Sequence, residues 1–296
     1  MNLTGVLAPV PTPFDDGDRV DTTRLKAAFA RWVKGPLTGF VILGSNGEAV
    51  LMDEDESDRA IAVAREAVPL GRTLLAGTGR ESTQAAIRAT RRAAALGVDG
   101  VLVRTPGFFK SQMTTEVFVR HYAAVADASP VPVLLYNFTA MTGVNLLPAA
   151  VSELARHPNI IGMKESGGDI AQVANLVHGT PNDFPVLAGS STTFYAALSV
   201  GVAGGILALA NVIPDVCVRL YDLFRQGRHD EARDLQRQIV PLARLLGPVY
   251  GVPGLKAALA LTGCDVGVPR PPLMPLADAG VAALRDALAP FEQIAV

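Results

Sequence analysis

The run Ile160-Ile161-Gly162-Met163-Lys164-Glu165-Ser166 places a lysine at the C-terminal end of a short apolar strand. Pro158-Asn159 before it and Gly167-Gly168 after it mark both limits of that strand. Lysine is scarce, 5 residues against 21 arginines, and Lys164 alone ends an apolar strand. Burial there penalises the ammonium and favours the neutral amine, the form that attacks a carbonyl carbon. The chemistry on offer is a Schiff base. Strand alternation puts Lys164, Gly162 and Ile160 on one face, so Gly162 is expected to leave room beneath the lysine stem. A lysine snorkelling out of an ordinary strand end reads the same way, so the other strand ends must decide.

Those ends carry further candidates. Gly44-Ser45-Asn46-Gly47-Glu48 closes the second strand just before a helix. Its small residues expose backbone N–H groups, and Ser45 and Asn46 add side-chain donors, a combination suited to a carboxylate or phosphate. A plain glycine-rich turn capped by serine has the same composition. Tyr136-Asn137 ends the fifth strand, beside the sixth. Adjacent strands lie about 4.8 Å apart, so the Tyr136 phenol can converge on Lys164 and move protons there. Ala188-Gly189-Ser190-Ser191 ends the seventh strand, and Gly204-Gly205 lead into Ile206 on the eighth; glycines at both let a ligand approach backbone. Gly77-Thr78-Gly79-Arg80-Glu81-Ser82 looks like a dinucleotide fingerprint but lacks its third glycine and an acidic partner about 20 residues on. His121, His157, His178 and His229 have no ligand spacing, so no metal centre is expected.

The elements that must hold these residues recur regularly. Apolar runs open near Val6, Phe40, Thr73, Gly100, Val131, Ile160, Phe184 and Gly204, about 28 residues apart, the size of a βα unit. Amphipathic stretches fill the gaps: Arg24–Lys34, Asp53–Val68, Thr83–Leu96, Thr115–Asp127, Pro148–Arg156, Asp169–Val177 and Thr192–Val200. Runs such as FVIL and VPVLLY are apolar on both faces, as strands covered by helices must be. Eight such units predict an α/β fold, a (β/α)8 TIM barrel over residues 1–224, rather than an open doubly wound sheet. Helices over Pro214–Gln226, Arg228–Leu246, Leu255–Leu261 and Asp278–Leu288, with a Pro-rich stretch before the last, predict a C-terminal helical appendage over 225–296.

Composition narrows the function classes. The chain has 296 residues, a formal charge of −2 and a pI near 6.1, which gives no electrostatic footprint for nucleic acid or an anionic membrane. Cys217 and Cys264 read as small buried hydrophobes. The N-terminal MNLTGVLAPVPTPF does not read as a signal peptide, and no apolar run reaches a membrane span, so a cytoplasmic protein is expected.

Taken together, GSNGE, AGTGRESTQ, TPGFF, YN…TG, GMKESGGD, LAGS and GGILALANV, in this order, resemble the N-acetylneuraminate lyase/dihydrodipicolinate synthase family from about Gly5 to Leu276. The resemblance implies a (β/α)8 class I aldolase acting on pyruvate through an imine, needing no cofactor. By motif, Lys164 resembles the imine-forming lysine and Tyr136 the proton-shuttling tyrosine. Ser45 and Asn46, with Gly47, resemble the pyruvate carboxylate site; the Ile206 carbonyl and Gly189 would lie along the bound oxo acid. The resemblance also implies a homotetramer, a dimer of dimers.

Three departures bear on substrate. Ser45-Asn46 stands where synthase members carry Thr-Thr, as in 4-hydroxy-2-oxoglutarate aldolase-like members. Met141 stands where synthases place an arginine for the aldehyde partner's carboxylate. Phe108 stands where a neighbouring subunit supplies a relay tyrosine, leaving a water or Thr78 to substitute. The expected reaction is cleavage of a 4-hydroxy-2-oxo acid to pyruvate and a small aldehyde. Dihydrodipicolinate synthase, a sugar-acid dehydratase using the same imine, and a non-catalytic oxo-acid-binding regulator are the alternatives.

Overall fold

The computed structural model describes residues 1–291. Eight parallel strands pair in chain order: β1 (Gly5–Pro9), β2 (Gly39–Ile42), β3 (Thr73–Gly77), β4 (Gly100–Arg104), β5 (Val133–Asn137), β6 (Ile160–Glu165), β7 (Val186–Ala188) and β8 (Gly204–Ile206). β8 returns to pair with β1, so the sheet closes as a TIM barrel. Alternation sorts the side chains. Leu7, Val41, Leu75, Leu102, Leu134, Tyr136, Leu187 and Ile206 fill the barrel, whereas Ala8, Phe40, Leu74, Val101, Leu135 and Met163 meet the helices.

The helices α1 (Thr22–Trp32), α2 (Glu54–Ala67), α3 (Thr83–Ala95), α4 (Thr115–Ala128), the one-turn α5 (Thr139–Thr142), α6 (Pro148–Leu154), α7 (Ile170–His178), α8 (Phe194–Ser199) and α9 (Pro214–Arg225) fill the crossovers. Most starts are set by side-chain caps: Asp21, Asp53, Ser82, Thr114 and Asp169 each accept a backbone N–H. Asp53 and Glu56 do so reciprocally, and proline opens α6 and α9 where its missing N–H costs nothing. Among the described residues, no helix is long and apolar enough to cross a membrane.

Beyond Arg225 the chain forms α10 (His229–Arg244), a π-helical turn at Leu245–Val249, α11 (Gly251–Leu261) and α12 (Asp278–Leu288). Leu235, Ile239, Leu242, Leu255, Leu259 and Leu284 bury their side chains in the same core that surrounds the barrel. α11 starts four residues before the sequence suggests, at Gly251 rather than Leu255. Gly251, Pro253 and Gly254 read as breakers, but Pro253 lies in the first turn, where an N–H has no acceptor to lose.

One strand departs from simple alternation. Val133 pairs with Ile160 but Leu134 pairs with Gly162, so β6 carries one extra residue, Ile161, at a bulge. Ile160 therefore packs among the helices and does not share the interior face with Lys164, whereas Ile161 packs against the barrel interior. The space at Gly162 is also not the lysine's: a Cβ there would lie 2.8 Å from the Pro185 carbonyl oxygen.

Candidate active site

The C-terminal ends of the strands bring Lys164, Tyr136 and Ser45 together. Tyr136 and Lys164 are register partners on β5 and β6, and both side chains point into the barrel. Lys164 is 5% exposed, its Nζ 4.4 Å from the centroid of the Tyr136 ring. An amine held over an aromatic face has lost much of its water. The Tyr136 hydroxyl lies 3.2 Å from Ser45 Oγ, and Phe138 stacks beside the Tyr136 ring at 6.0 Å. A buried amine, a phenol and a second hydroxyl thus form one connected group. Such a group can add to a carbonyl and pass the protons that addition and dehydration require.

The glycine that makes room for the lysine is Gly189, just past β7. A Cβ there would sit 3.0 Å from Lys164 Cε and 1.8 Å from Ser166 Oγ, so no other residue fits. Ser166 was not singled out from sequence. Its hydroxyl is buried and, among the described residues, finds no hydrogen-bond partner. Two residues past the lysine, it borders the same glycine, and an unpartnered buried hydroxyl of this kind calls for an explanation.

Ser45, Asn46 and Gly47 form a single 3-10 turn after β2, with Ser45 and Asn46 half-buried and Gly47 buried. The turn is bounded by two non-glycine residues in the left-handed region, Leu43 (φ 59°) and Glu48 (φ 56°). Residues in that region persist only where surroundings over-determine them, and they cluster at functional sites. Here the surroundings are visible. The Leu43 carbonyl presses on Gly77 so closely that a Cβ on Gly77 would lie 1.9 Å from its oxygen. Thr12 Oγ1 donates to the Gly47 carbonyl at 2.7 Å.

The Glu48 carboxylate is buried against Lys256 Nζ of α11 at 2.7 Å, and it accepts the Arg270 backbone N–H at 2.8 Å. Lys256 also donates to the carbonyls of Thr12 (2.7 Å) and Val268 (2.9 Å). The Arg270 guanidinium pairs with Glu56 and Asp18 and lies 4.2 Å from the centroid of Phe14. Burial pulls the Lys256 ammonium below its usual range despite Glu48, while Arg270 holds the Glu56 carboxyl below the ordinary carboxylate range. None of this network was anticipated. The signal was two isolated cations, Lys256 and Arg270, in apolar or Pro-rich stretches.

A second polar group stands behind β6. Glu165 points away from the barrel and accepts from Asn137 Nδ2 (2.8 Å), the Gly167 N–H and Gln172 Nε2 (3.1 Å). Burial raises its carboxyl above the ordinary range, these donors notwithstanding. Asn137 also donates to Asn145 Oδ1 and accepts from Leu146 N–H, so the ends of β5 and β6 are tied to the loop between them.

The other expected positions scatter. Ile206 is fully buried in the barrel interior. Met141, on α5, is 66% exposed, and Phe108, in the loop after β4, is 77% exposed, packed edge-on against Phe109 at 5.1 Å. Neither touches the lysine's group within one chain. Thr78, considered as a substitute relay hydroxyl, bonds Thr90 on α3 at 2.9 Å, so its hydroxyl is turned outward to the helix layer. Asn211, just past β8, spends both amide hydrogens on the carbonyls of Pro9 and Ala208. The nucleotide-like segment after β3 is structural: Glu81 accepts from Arg104 and from the N–H groups of Gly107 and Phe108.

A sequence profile of the Dihydrodipicolinate synthetase family matches residues 2–290. A 4-hydroxy-tetrahydrodipicolinate synthase from Exiguobacterium is 35% identical over 293 residues, 99% of either chain. A protein of Emericella nidulans named "Probable 4-hydroxy-2-oxoglutarate aldolase, mitochondrial" is 36% identical over 290 residues, 96% of this chain and 94% of that one. Among solved structures, a dihydrodipicolinate synthase from Bacillus anthracis superposes with a TM-score of 0.93 at 26% identity, covering 98% of both chains. A closed barrel with a buried lysine at a strand's end, matched along almost its whole length, makes the chain a member of the dihydrodipicolinate synthetase family and a carbon–carbon lyase of the class I aldolase type.

Proposed function

We propose that the protein cleaves a short 4-hydroxy-2-oxo acid, such as 4-hydroxy-2-oxoglutarate, to pyruvate and an aldehyde such as glyoxylate. The observation that carries this is the Lys164 amine held over the Tyr136 ring, with the phenol linked to Ser45. Lys164 attacks C2 of the oxo acid, and loss of water from the carbinolamine gives an iminium. Tyr136 gives its phenolic proton to the departing water, and the phenolate so formed takes the proton of the C4 hydroxyl as the C3–C4 bond breaks. The aldehyde leaves, the electron pair becomes an enamine, and protonation at C3 followed by hydrolysis frees pyruvate and the lysine. The substrate carboxylate rests on Ser45, Asn46 and the N–H groups of their turn. The iminium is itself the electron sink, so the scheme calls on no cofactor.

The choice of substrate rests on Met141 and on Ser166. A synthase joining pyruvate to aspartate semialdehyde must hold a second carboxylate, for which a guanidinium offers paired, charge-assisted bonds. Met141 offers no donor. Losing such a partner costs about 1.5–3 kcal/mol, roughly 10- to 150-fold in kcat/KM. 4-Hydroxy-2-oxoglutarate carries a second carboxylate as well, but bonded directly to C4, two carbons nearer the imine than that of aspartate semialdehyde, where the unpartnered Ser166 hydroxyl beside Lys164 supplies a donor. The second reading, 4-hydroxy-tetrahydrodipicolinate synthase, is favoured by the names of several relatives at 34–36% identity.

Comparing kcat/KM for 4-hydroxy-2-oxoglutarate cleavage and for condensation of pyruvate with aspartate semialdehyde, on one preparation, tests the choice. Cleavage is expected to be the faster; a synthase rate equal or greater replaces this reading with the second. Borohydride in the presence of pyruvate should leave a secondary amine on Lys164 and none on Lys164→Ala. An adduct on another lysine overturns the mechanism for both.

A further inference from the structure

We propose that the buried Lys256–Glu48 pair, with the Thr12 hydroxyl, is the positioning device that holds the Ser45-Asn46-Gly47 turn in its carboxylate-receiving shape, so that the C-terminal helices set the site's affinity for oxo acid. The inference rests on the assignment of that turn to the substrate carboxylate.

The turn cannot hold itself. It is a single 3-10 turn without a side-chain cap, and it ends on Glu48 at φ 56°, a backbone region that L residues with a Cβ seldom adopt. Besides the Ser45–Tyr136 bond at its start, two tethers reach its far end from outside, and both involve Lys256. The first is the Glu48 carboxylate, fixed by Lys256 Nζ at 2.7 Å and by the Arg270 N–H at 2.8 Å. The second is the Gly47 carbonyl, fixed by Thr12 Oγ1 at 2.7 Å, while the Thr12 carbonyl accepts from Lys256 Nζ at 2.7 Å. The ammonium thus donates hydrogen bonds to the Thr12 and Val268 carbonyls and meets Glu48 Oε1 as an ion pair. The Phe14 ring, 4.6 Å from Nζ, leaves little freedom on the remaining side.

A buried ion pair of this kind gains little over well-packed apolar side chains, because desolvation offsets the attraction. What it supplies is geometry: opposite charges and carbonyls in fixed directions tolerate only one arrangement. Glu48 and Gly47 adjoin the residues offered to the substrate. Lys256 and Arg270 belong to α11 and to the Pro-rich loop that follows it, outside the eight βα units. The device therefore works through Ser45 and Asn46 and touches no reacting atom.

The test uses the full chain and pyruvate, with borohydride trapping on Lys164 measured against pyruvate concentration. Two variants are compared with the wild type: the double variant Glu48→Gln/Lys256→Met, which removes both charges together, and Thr12→Val, which leaves both in place. Half-saturation should rise about tenfold or more in the double variant, the scale of a lost charge-assisted bond, and about threefold in Thr12→Val. The trapping rate at saturation should stay within about threefold of wild type, because the amine and phenol are untouched. If the double variant gives no cooperative thermal transition, Thr12→Val carries the test alone. A folded variant with half-saturation within about twofold of wild type, or with its loss confined to the saturating rate, overturns the proposal. Failure of the wild type itself to trap pyruvate on Lys164 strikes instead at the function on which the proposal rests.

Discussion

At the scale of single residues, the meeting of Lys164 and Tyr136 was readable because each closes one of two neighbouring apolar runs. What sequence could not convey is how tightly they are coupled. Tyr136 is 3% exposed, and its hydroxyl has a partner in Ser45 at 3.2 Å. Tyr136→Phe is expected to fold, at a cost of about 1 kcal/mol, and to lower kcat by about 10²–10⁴-fold. A drop in kcat of less than about threefold would assign the proton transfers elsewhere. Ser45 bonds the phenol and, in the proposed reaction, receives the substrate carboxylate, so Ser45→Ala should raise KM and lower kcat together. Steady-state kinetics that move KM alone would mean that the Ser45–Tyr136 bond does nothing for turnover. Ser166 escaped notice because a serine after a strand is ordinary; only the collision of its Oγ with a Cβ at Gly189 reveals how close it lies to the lysine.

At the scale of elements, periodicity located the strands and most of the crossover helices, since both faces of each strand are buried and the caps are written in Asp, Ser and Thr. The bulge at Ile161 was invisible, because an inserted residue in an apolar run changes no pattern that alternation can detect. α4 shows a different hidden feature. His121 is buried with Nδ1 bonded to Thr83 Oγ1 at 2.9 Å and Nε2 without a partner among the described residues, and desolvation lowers its pKa from 6.5 to about 4. A group with a depressed folded pKa binds protons more readily unfolded, so stability is retained above 6.5 and lost as pH falls toward 4. His121 should account for about 2 kcal/mol of lost stability between pH 7.5 and pH 5. Glu165 acts in the opposite sense: its raised folded pKa favours the native state as it gains a proton. Urea unfolding of His121→Asn beside the wild type isolates the histidine. An unchanged pH slope in the variant would show that His121 is not the source.

At the scale of the whole molecule, the closed barrel follows from eight equal repeats, and the family from motifs spread over nearly the full length. The linkage between the two ends of the chain does not, because a lone lysine in an apolar stretch signals burial but does not name its partner until Glu48 is placed beside it. The outer surface carries one expectation about assembly. Phe108 and Phe109, 77% and 68% exposed, form an apolar projection suited to a second copy of the chain. Replacing both with aspartate should shift sedimentation toward the monomer without lowering thermal stability of the isolated chain by more than about 0.5 kcal/mol. Unchanged sedimentation would show that these two rings hold no second copy. The order in which a ribosome delivers this chain gives the Glu48 pair a further meaning. All eight strands have left the exit tunnel before Lys256 and Arg270 are made, so a nascent barrel holds a buried acid whose counter-ion is still being synthesised. Glu48 is expected to stay hydrated during that interval, and the loop after β2 with it, until α11 and the loop beyond it dock against them.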